Sequence, residues 1–426
     1  MLHIFLISSA LFVFIIYKKT RGELVNSFVM LFFVSFVFYN GWAITDEKVT
    51  AYYVSAYLIF LCVFVLSFIF FYKIFYKVGR SSNLYFNDLV ENKLKKKILV
   101  SILLIYFSVS LFPLIYPDFK VLNLLSPPEI DLREHFSKRS DVINGGVLIS
   151  IVSFINILIF PLFLICLQRY YKKISIIVFL LMVIFYIEFV ATGYKSRGQL
   201  LATLFPVLFL YWHENPSKRL YIVILSALAA PFVFILFAFY TDYRLGGGLS
   251  LSDYSLLESI SYIFESETSF VLNAGLPLIE SGKHVDLAMY FKWIVTLPIP
   301  KFIIGSISGA RLNSEISEIV LGVNEGGIGY YIVLPGLVAE SVYVYGSYFF
   351  WLHAISIGAV IAFMARVFFN NRKIILLSGY VAFVSLYNFN RAGMAAFLPI
   401  AINGFIVIYI IYFLYRFGVL KVENRT

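Results

Sequence analysis

Residues 52–72 read YYVSAYLIFLCVFVLSFIFFY, twenty-one positions without one charged side chain. An α-helix rises about 1.5 Å per residue, so a stretch of this length crosses the roughly 30 Å hydrocarbon core of a bilayer. Working outward, further apolar blocks fall at 2–17, 24–45, 98–116, 143–168, 174–193, 199–212, 220–240, 347–368, 374–389 and 394–415. The first and seventh are short, and the seventh carries Pro206. Two more stretches, 287–304 and 328–345, are apolar but interrupted by Pro298, Pro300, Pro335 and Glu340. They fit a re-entrant pair, two more spans, or interfacial helices.

Composition agrees. Of 426 residues 61% are apolar and only 14% charged, where a soluble domain carries about 25%. Phe (46) and Tyr (31) are abundant, which suits lipid-facing bulk and interfacial aromatic belts. The expected fold is an all-α, polytopic membrane protein with about eleven transmembrane helices, or thirteen if both interrupted stretches span. Basic residues follow the first block (Lys18, Lys19, Arg21) instead of preceding it, so that block reads as an uncleaved span. Cys62 and Cys166 sit inside apolar blocks without metal or disulfide spacing, and read as buried small side chains.

The net charge of +10 could suggest nucleic acid, but its distribution points elsewhere. With the N-terminus outside and the C-terminus inside, 21 of the 34 Lys and Arg lie in inner segments. Acidic residues run the opposite way, leaving the inner face near about +16 and the outer near about −6. The basic excess is therefore a topology signal, and nucleic acid is not an expected partner. Residues 1–240 then hold eight spans with an outer loop at 117–142. Residues 241–346 form a long extracytoplasmic loop, and 347–426 hold the last three spans and a short cytoplasmic tail.

In the long loop, Leu256, Ile260, Ile263 and Phe264 recur at helical spacing, and Ser255 with Glu258 fits a capping box. Gly246-Gly247-Gly248 before them reads as a flexible joint.

Several outer cations run against the charge bias. Lys195 and Arg197, in Thr192-Gly193-Tyr194-Lys195-Ser196-Arg197-Gly198, either snorkel to the head groups or hold an anionic ligand. Arg244 follows the eighth span, with Asp242 as its simplest partner. Arg391 sits between two outer helix ends without an acidic neighbour in sequence. Arg311, in Gly309-Ala310-Arg311, precedes a glycine-rich run from Gly322 to Gly329. Glu340 lies in a mostly apolar stretch, where a carboxylate needs a partner or a function. The histidines lack metal-ligand spacing, so no metal is expected, and no nucleotide-binding or serine-esterase motif occurs.

Two stretches, with the late outer Arg391, carry a resemblance: Thr192-Gly193-Tyr194-Lys195-Ser196-Arg197-Gly198, and Gly329 through Glu340 followed by Tyr345-Gly346. Together with the topology they resemble the Wzy-type polymerases of O-antigen and capsule repeat units. The first stretch departs by Tyr194-Lys195, where a more compact Gly-Ser-Arg is commoner. The resemblance implies an inverting, metal-independent glycosyltransferase without a cofactor, in the bacterial cytoplasmic (inner) membrane and facing outward. Its substrates would be undecaprenyl-diphosphate-linked oligosaccharides, and a chain-length regulator and a flippase would be partners. Lys195, Arg197, Arg244, Arg311 and Arg391 would hold diphosphate or sugar, with Glu340 as the base and Asp242 in reserve. A lipid-linked oligosaccharide flippase, an O-antigen ligase and a glycan acyltransferase are the alternatives. The flippase would line a mid-membrane cavity with cations, the ligase shares the same plan, and the acyltransferase needs a catalytic histidine, for which only His353 offers itself.

Overall fold

The computed structural model describes residues 23–46, 48–91, 96–116, 119, 121–125, 146–168, 174–191, 197–244, 255, 257–258, 269–299, 312–324, 327, 330–406 and 408–410. Every regular element among them is helical. In chain order these are α1 (Glu23–Phe36), α2 (Ala51–Ile74), α3 (Tyr76–Glu91), α4 (Lys96–Leu111), α5 (Gly146–Gln168), α6 (Ile174–Ala191), α7 (Arg197–Glu214) and α8 (Arg219–Arg244). There follow α9 (Leu276–Glu280), α10 (Leu287–Thr296), α11 (Leu312–Leu321), α12 (Leu337–Phe368), α13 (Ile375–Phe383), α14 (Asn390–Ala392) and α15 (Met394–Asn403). Helices stand on each expected apolar block from 24–45 onward. The first block, most of the 117–142 loop, the triple glycine and Ile260, Ile263 and Phe264 lie outside the described residues. Ser255 and Glu258 make the expected capping box, with Glu258 N–H donating to Ser255 Oγ at 3.2 Å and Ser255 N–H to Glu258 Oε2 at 3.4 Å.

Among the described residues, three segments are long and apolar enough to cross a membrane: Leu24–Ile44, Ala51–Ile74 and Leu337–Phe368. The surface of α2 agrees with a bilayer environment. Ile59, Leu66 and Phe70 are 47%, 69% and 60% exposed, and with Cys62 they form one apolar stripe along the helix. Water would penalise that stripe and lipid would not. Cys166 is buried as expected, but Cys62 faces outward on this stripe.

The core is aromatic. Phe28, Phe32, Phe33, Phe36, Phe60, Phe64 and Phe68 are all essentially inaccessible. Phe28 stacks on Phe369 with ring centres 4.0 Å apart, and Phe36 on Tyr57 at 5.7 Å. Much of the phenylalanine expected to face lipid is instead packed between helices. Lipid and protein interior are equally apolar, so composition alone does not divide the two. The helices approach closely where a side chain is missing: a β-carbon on Gly358 of α12 would stand 3.0 Å from the Phe64 carbonyl oxygen of α2. At the far end of this pair Arg366 donates to the Tyr72 carbonyl at 2.7 Å, with its guanidinium 3.5 Å from the Tyr72 ring centre. One of the last carbonyls of α2 is thereby satisfied.

Candidate functional site

The site is built around the first limb of α12, residues 337–345. The preceding segment, 330–336, has no regular structure and ends at Gly336, whose φ of 78° turns the chain into the helix. The first N–H groups of a helix have no partner within it. Here Asn40 supplies one: its Oδ1 accepts from Leu337 N at 2.8 Å and Val338 N at 3.4 Å. The same carboxamide donates to the Asn390 carbonyl at 2.9 Å, and the Asn40 carbonyl accepts from Tyr53 OH at 2.8 Å. Asn390 in turn donates to the Phe32 carbonyl at 3.0 Å.

Residues 337–344 are all buried, so this limb is enclosed on every side. It does not continue straight into the spanning limb, 347–368. Gly346 has φ 79° and ψ 169°, a conformation open to glycine and strained for other residues. Across the break, Ser341 Oγ meets His353 Nδ1 at 2.8 Å. Twelve residues of straight helix would separate them by about 18 Å. The first limb is therefore folded back on the second limb, 347–368, as a reversed arm.

The hydroxyl fixes the tautomer. Ser341 Oγ gives its one proton to the Leu337 carbonyl at 2.7 Å, so it accepts from His353 Nδ1–H. Nε2 lies 3.2 Å from Tyr290 OH of α10, within hydrogen-bond distance. The imidazole thus joins the arm, the 347–368 limb and a helix of the long loop.

Glu340 is fully buried on the same arm. Its Oε2 accepts from Met394 N at 2.6 Å and its Oε1 from Ala395 N at 2.8 Å. These are the opening N–H groups of α15, where the helix dipole favours a negative charge. The partner that a carboxylate in an apolar stretch requires is thus a helix N-terminus. Gly393, at φ 81°, makes the turn before it. Two residues upstream Arg391 is flanked by rings, its guanidinium 4.2 Å from the Phe270 ring centre and 4.8 Å from that of Tyr387. It also donates a hydrogen bond to Tyr387 OH.

Three π-helical turns converge here: Val37–Gly41, Val271–Gly275 and Val384–Phe389. The first carries Asn40, the last leads into Arg391, and Gly275 of the middle one abuts the Pro335 carbonyl. Such turns widen a helix by one residue and occur frequently at functional sites.

The long loop closes over this centre. Asn313 donates to the Ala395 carbonyl at 3.1 Å, Val333 N to Ser317 Oγ at 3.0 Å, and Val285 N to the Tyr343 carbonyl at 3.1 Å. Tyr343 OH donates to Glu315 Oε2 at 3.2 Å. Burial raises the Glu315 carboxyl above its ordinary range; the Tyr343 bond opposes this and Glu318 adds to it.

Of the residues singled out from sequence, the structure brings Glu340 and the Arg391 segment together. Arg197 opens α7, and Asp242 and Arg244 lie in the last turn of α8; their side chains are outside the described set, as are Lys195 and Arg311 entirely. Asn40, Ser341 and Tyr290 were not anticipated. Asn40 is one of several uncharged polar residues in the 24–45 block, with Asn26, Ser27 and Ser35, so nothing in the sequence marks it out as Glu340 is marked. Compared with protein-family models, curated proteins and solved structures, the chain matches none.

Proposed function

We propose that this chain is an oligosaccharide repeat unit polymerase of the Wzy type. It has eleven spans, an outer N-terminus and a cytoplasmic C-terminus, and works at the outer face of the bacterial cytoplasmic membrane. The observation that carries the reading is the pair of bonds from Met394 and Ala395 to Glu340. Through them the Gly329–Glu340 stretch of the resemblance meets the segment of Arg391, residues far apart in sequence. The joint fixes the segment that carries Arg391, a cation able to stabilise the charge on a leaving diphosphate.

In this reading an acceptor sugar hydroxyl attacks the anomeric carbon of the lipid-linked donor chain. The bond from that carbon to the diphosphate oxygen breaks, and undecaprenyl diphosphate leaves with both electrons. Arg391, flanked by Phe270 and Tyr387, stabilises the charge growing on the leaving group, joined by Lys195, Arg197, Arg244 and Arg311. Glu340 was the sequence-based choice for the base, but its buried carboxylate already accepts two backbone N–H groups. We therefore assign it as a positioning residue for the Arg391 segment. The hydroxyl proton goes to Asp242.

Deletion of the gene, with complementation by wild type and by Arg197→Ala and Arg391→Ala, tests this when the surface glycan is sized on a gel. The expected result is loss of the long ladder with a single repeat unit retained, restored by wild type alone at equal protein abundance. Loss of even the single unit, with lipid-linked material trapped inside, would identify a flippase and overturn the proposal.

A further inference from the structure

The geometry points to α10 as a limb of the long loop that dips into the outer leaflet beside α12, with its outward face in contact with lipid. The helix is apolar nearly all round. Tyr290, Trp293 and Ile294 face the protein and pack on its core. The adjoining stripe is just as apolar, yet Leu287, Phe291 and Val295 are 42%, 53% and 73% exposed, and beyond it Lys292 is the one charged residue of the helix. A helix without a polar face is stable only when buried in protein or in lipid.

Its track along α12 selects lipid. At one end Val285 N bonds the Tyr343 carbonyl, and His284 lies against Gly346. Further along, Tyr290 OH reaches His353, which is about 10 Å down the spanning limb from Gly346. The two helices thus descend side by side. Near its start the 347–368 limb presents exposed Tyr348 and Phe349, 85% and 58%, so the stripe on α10 continues an exposed aromatic surface of a helix long and apolar enough to span. With ten residues α10 is about 15 Å long, half the hydrocarbon core, so it enters and does not cross. Exposed Lys292 is placed to snorkel toward the head groups. At the deep end Thr296 Oγ1 contacts the Lys292 and Trp293 carbonyls at 2.9 and 3.1 Å, helping to cover backbone that water cannot reach.

The test is spin-label accessibility on the full chain in nanodiscs of phosphatidylethanolamine and phosphatidylglycerol. Phe291→Cys, Val295→Cys and, as an aqueous reference, Lys283→Cys are made in a Cys62→Ala background; Cys166 is buried. At 291 and 295 collisions with dissolved oxygen should exceed those with a water-soluble nickel complex, with the reverse at 283. Nickel exceeding oxygen at 291 and 295 would show a helix in water, and low values for both would show a covering protein; either result overturns the inference. Hydroxyl-radical footprinting of the unsubstituted chain gives a second reading, with Phe291 expected to stay unmodified while His284 is labelled. Labelling of Phe291 to the same extent as His284 would also overturn it. None of these measurements depends on the glycosyltransferase reading.

Discussion

Glu340 occupies the only space in which Gly393 could carry a side chain: a β-carbon there would stand 1.7 Å from Glu340 Oε2. The carboxylate and the missing side chain are two halves of one joint, which ties the reversed arm to the start of α15. Gly393→Ala meets both this clash and a φ of 81°. The expected cost is roughly 3–5 kcal/mol, seen as loss of the monodisperse peak in detergent chromatography and a lower thermal midpoint. Combined with Glu340→Ala the loss should be less than additive, since the clash is then gone and only the strain stays.

Glu340→Gln separates positioning from proton transfer. An amide keeps one acceptor oxygen but turns a donor toward a backbone N–H, so stability should fall and the polymer yield with it. If Glu340 only positions, the pH profile of the remaining polymerisation keeps its shape. Disappearance of the acidic limb of that profile would assign it as the base after all.

Asn40 holds two helices with one carboxamide. Asn40→Ala removes the cap of the arm and the bond to the Asn390 carbonyl in a fully buried place, at an expected cost of roughly 2–4 kcal/mol. Asn40→Asp retains the acceptor for Leu337 and Val338 but not the donor, and its thermal midpoint should lie between those of wild type and Asn40→Ala.

Arg391→Lys is expected to fail almost as fully as Arg391→Ala. An ammonium has no planar face to lie between Phe270 and Tyr387, and it cannot grip a phosphate with two parallel bonds. Polymerisation measured on purified lipid-linked substrate should drop about 10²–10³-fold for both, at normal abundance. Full activity of Arg391→Lys would leave this arginine out of the diphosphate site.

Glu315 supplies a pH dependence. Its folded-state pKa lies above the ordinary carboxylate value because of burial, so the folded state binds the proton more tightly than the unfolded chain does. The stabilisation is therefore present at low pH and is lost as pH rises through the folded pKa. Glu315→Gln should flatten thermal stability across that interval; an unchanged slope would remove Glu315 as its source.

The helical blocks were legible because a bilayer tolerates no charge over twenty residues, a rule that stretches such as 52–72 obey visibly. The interrupted stretches 287–304 and 328–345 were legible only as a problem. Pro335 and Glu340 marked the second as unlike a plain span, and the fold resolves it as an arm reversed at Gly346. That reversal rests on Ser341 meeting His353, and the use of Glu340 on Met394, fifty-four residues away. Local pattern contains neither contact. Nor could composition say which phenylalanines would face lipid, since Phe28 and Phe70 stand in equally apolar surroundings and only packing separates them.

The joint at Asn40 also imposes an order on biosynthesis. Asn40 leaves the ribosome 297 positions ahead of Leu337, the backbone group it will cap, and Glu340 precedes Met394 by another 54. Until α15 is inserted, the Glu340 carboxylate, in a mostly apolar stretch, lacks the two N–H groups from which it will accept. The centre therefore closes in steps, with Asn40 meeting the start of α12 first and Glu340 meeting α15 last. A chain arrested before α15 displays an acid without its two N–H donors within an apolar stretch, a mark by which a membrane protease could tell an unfinished copy from a finished one.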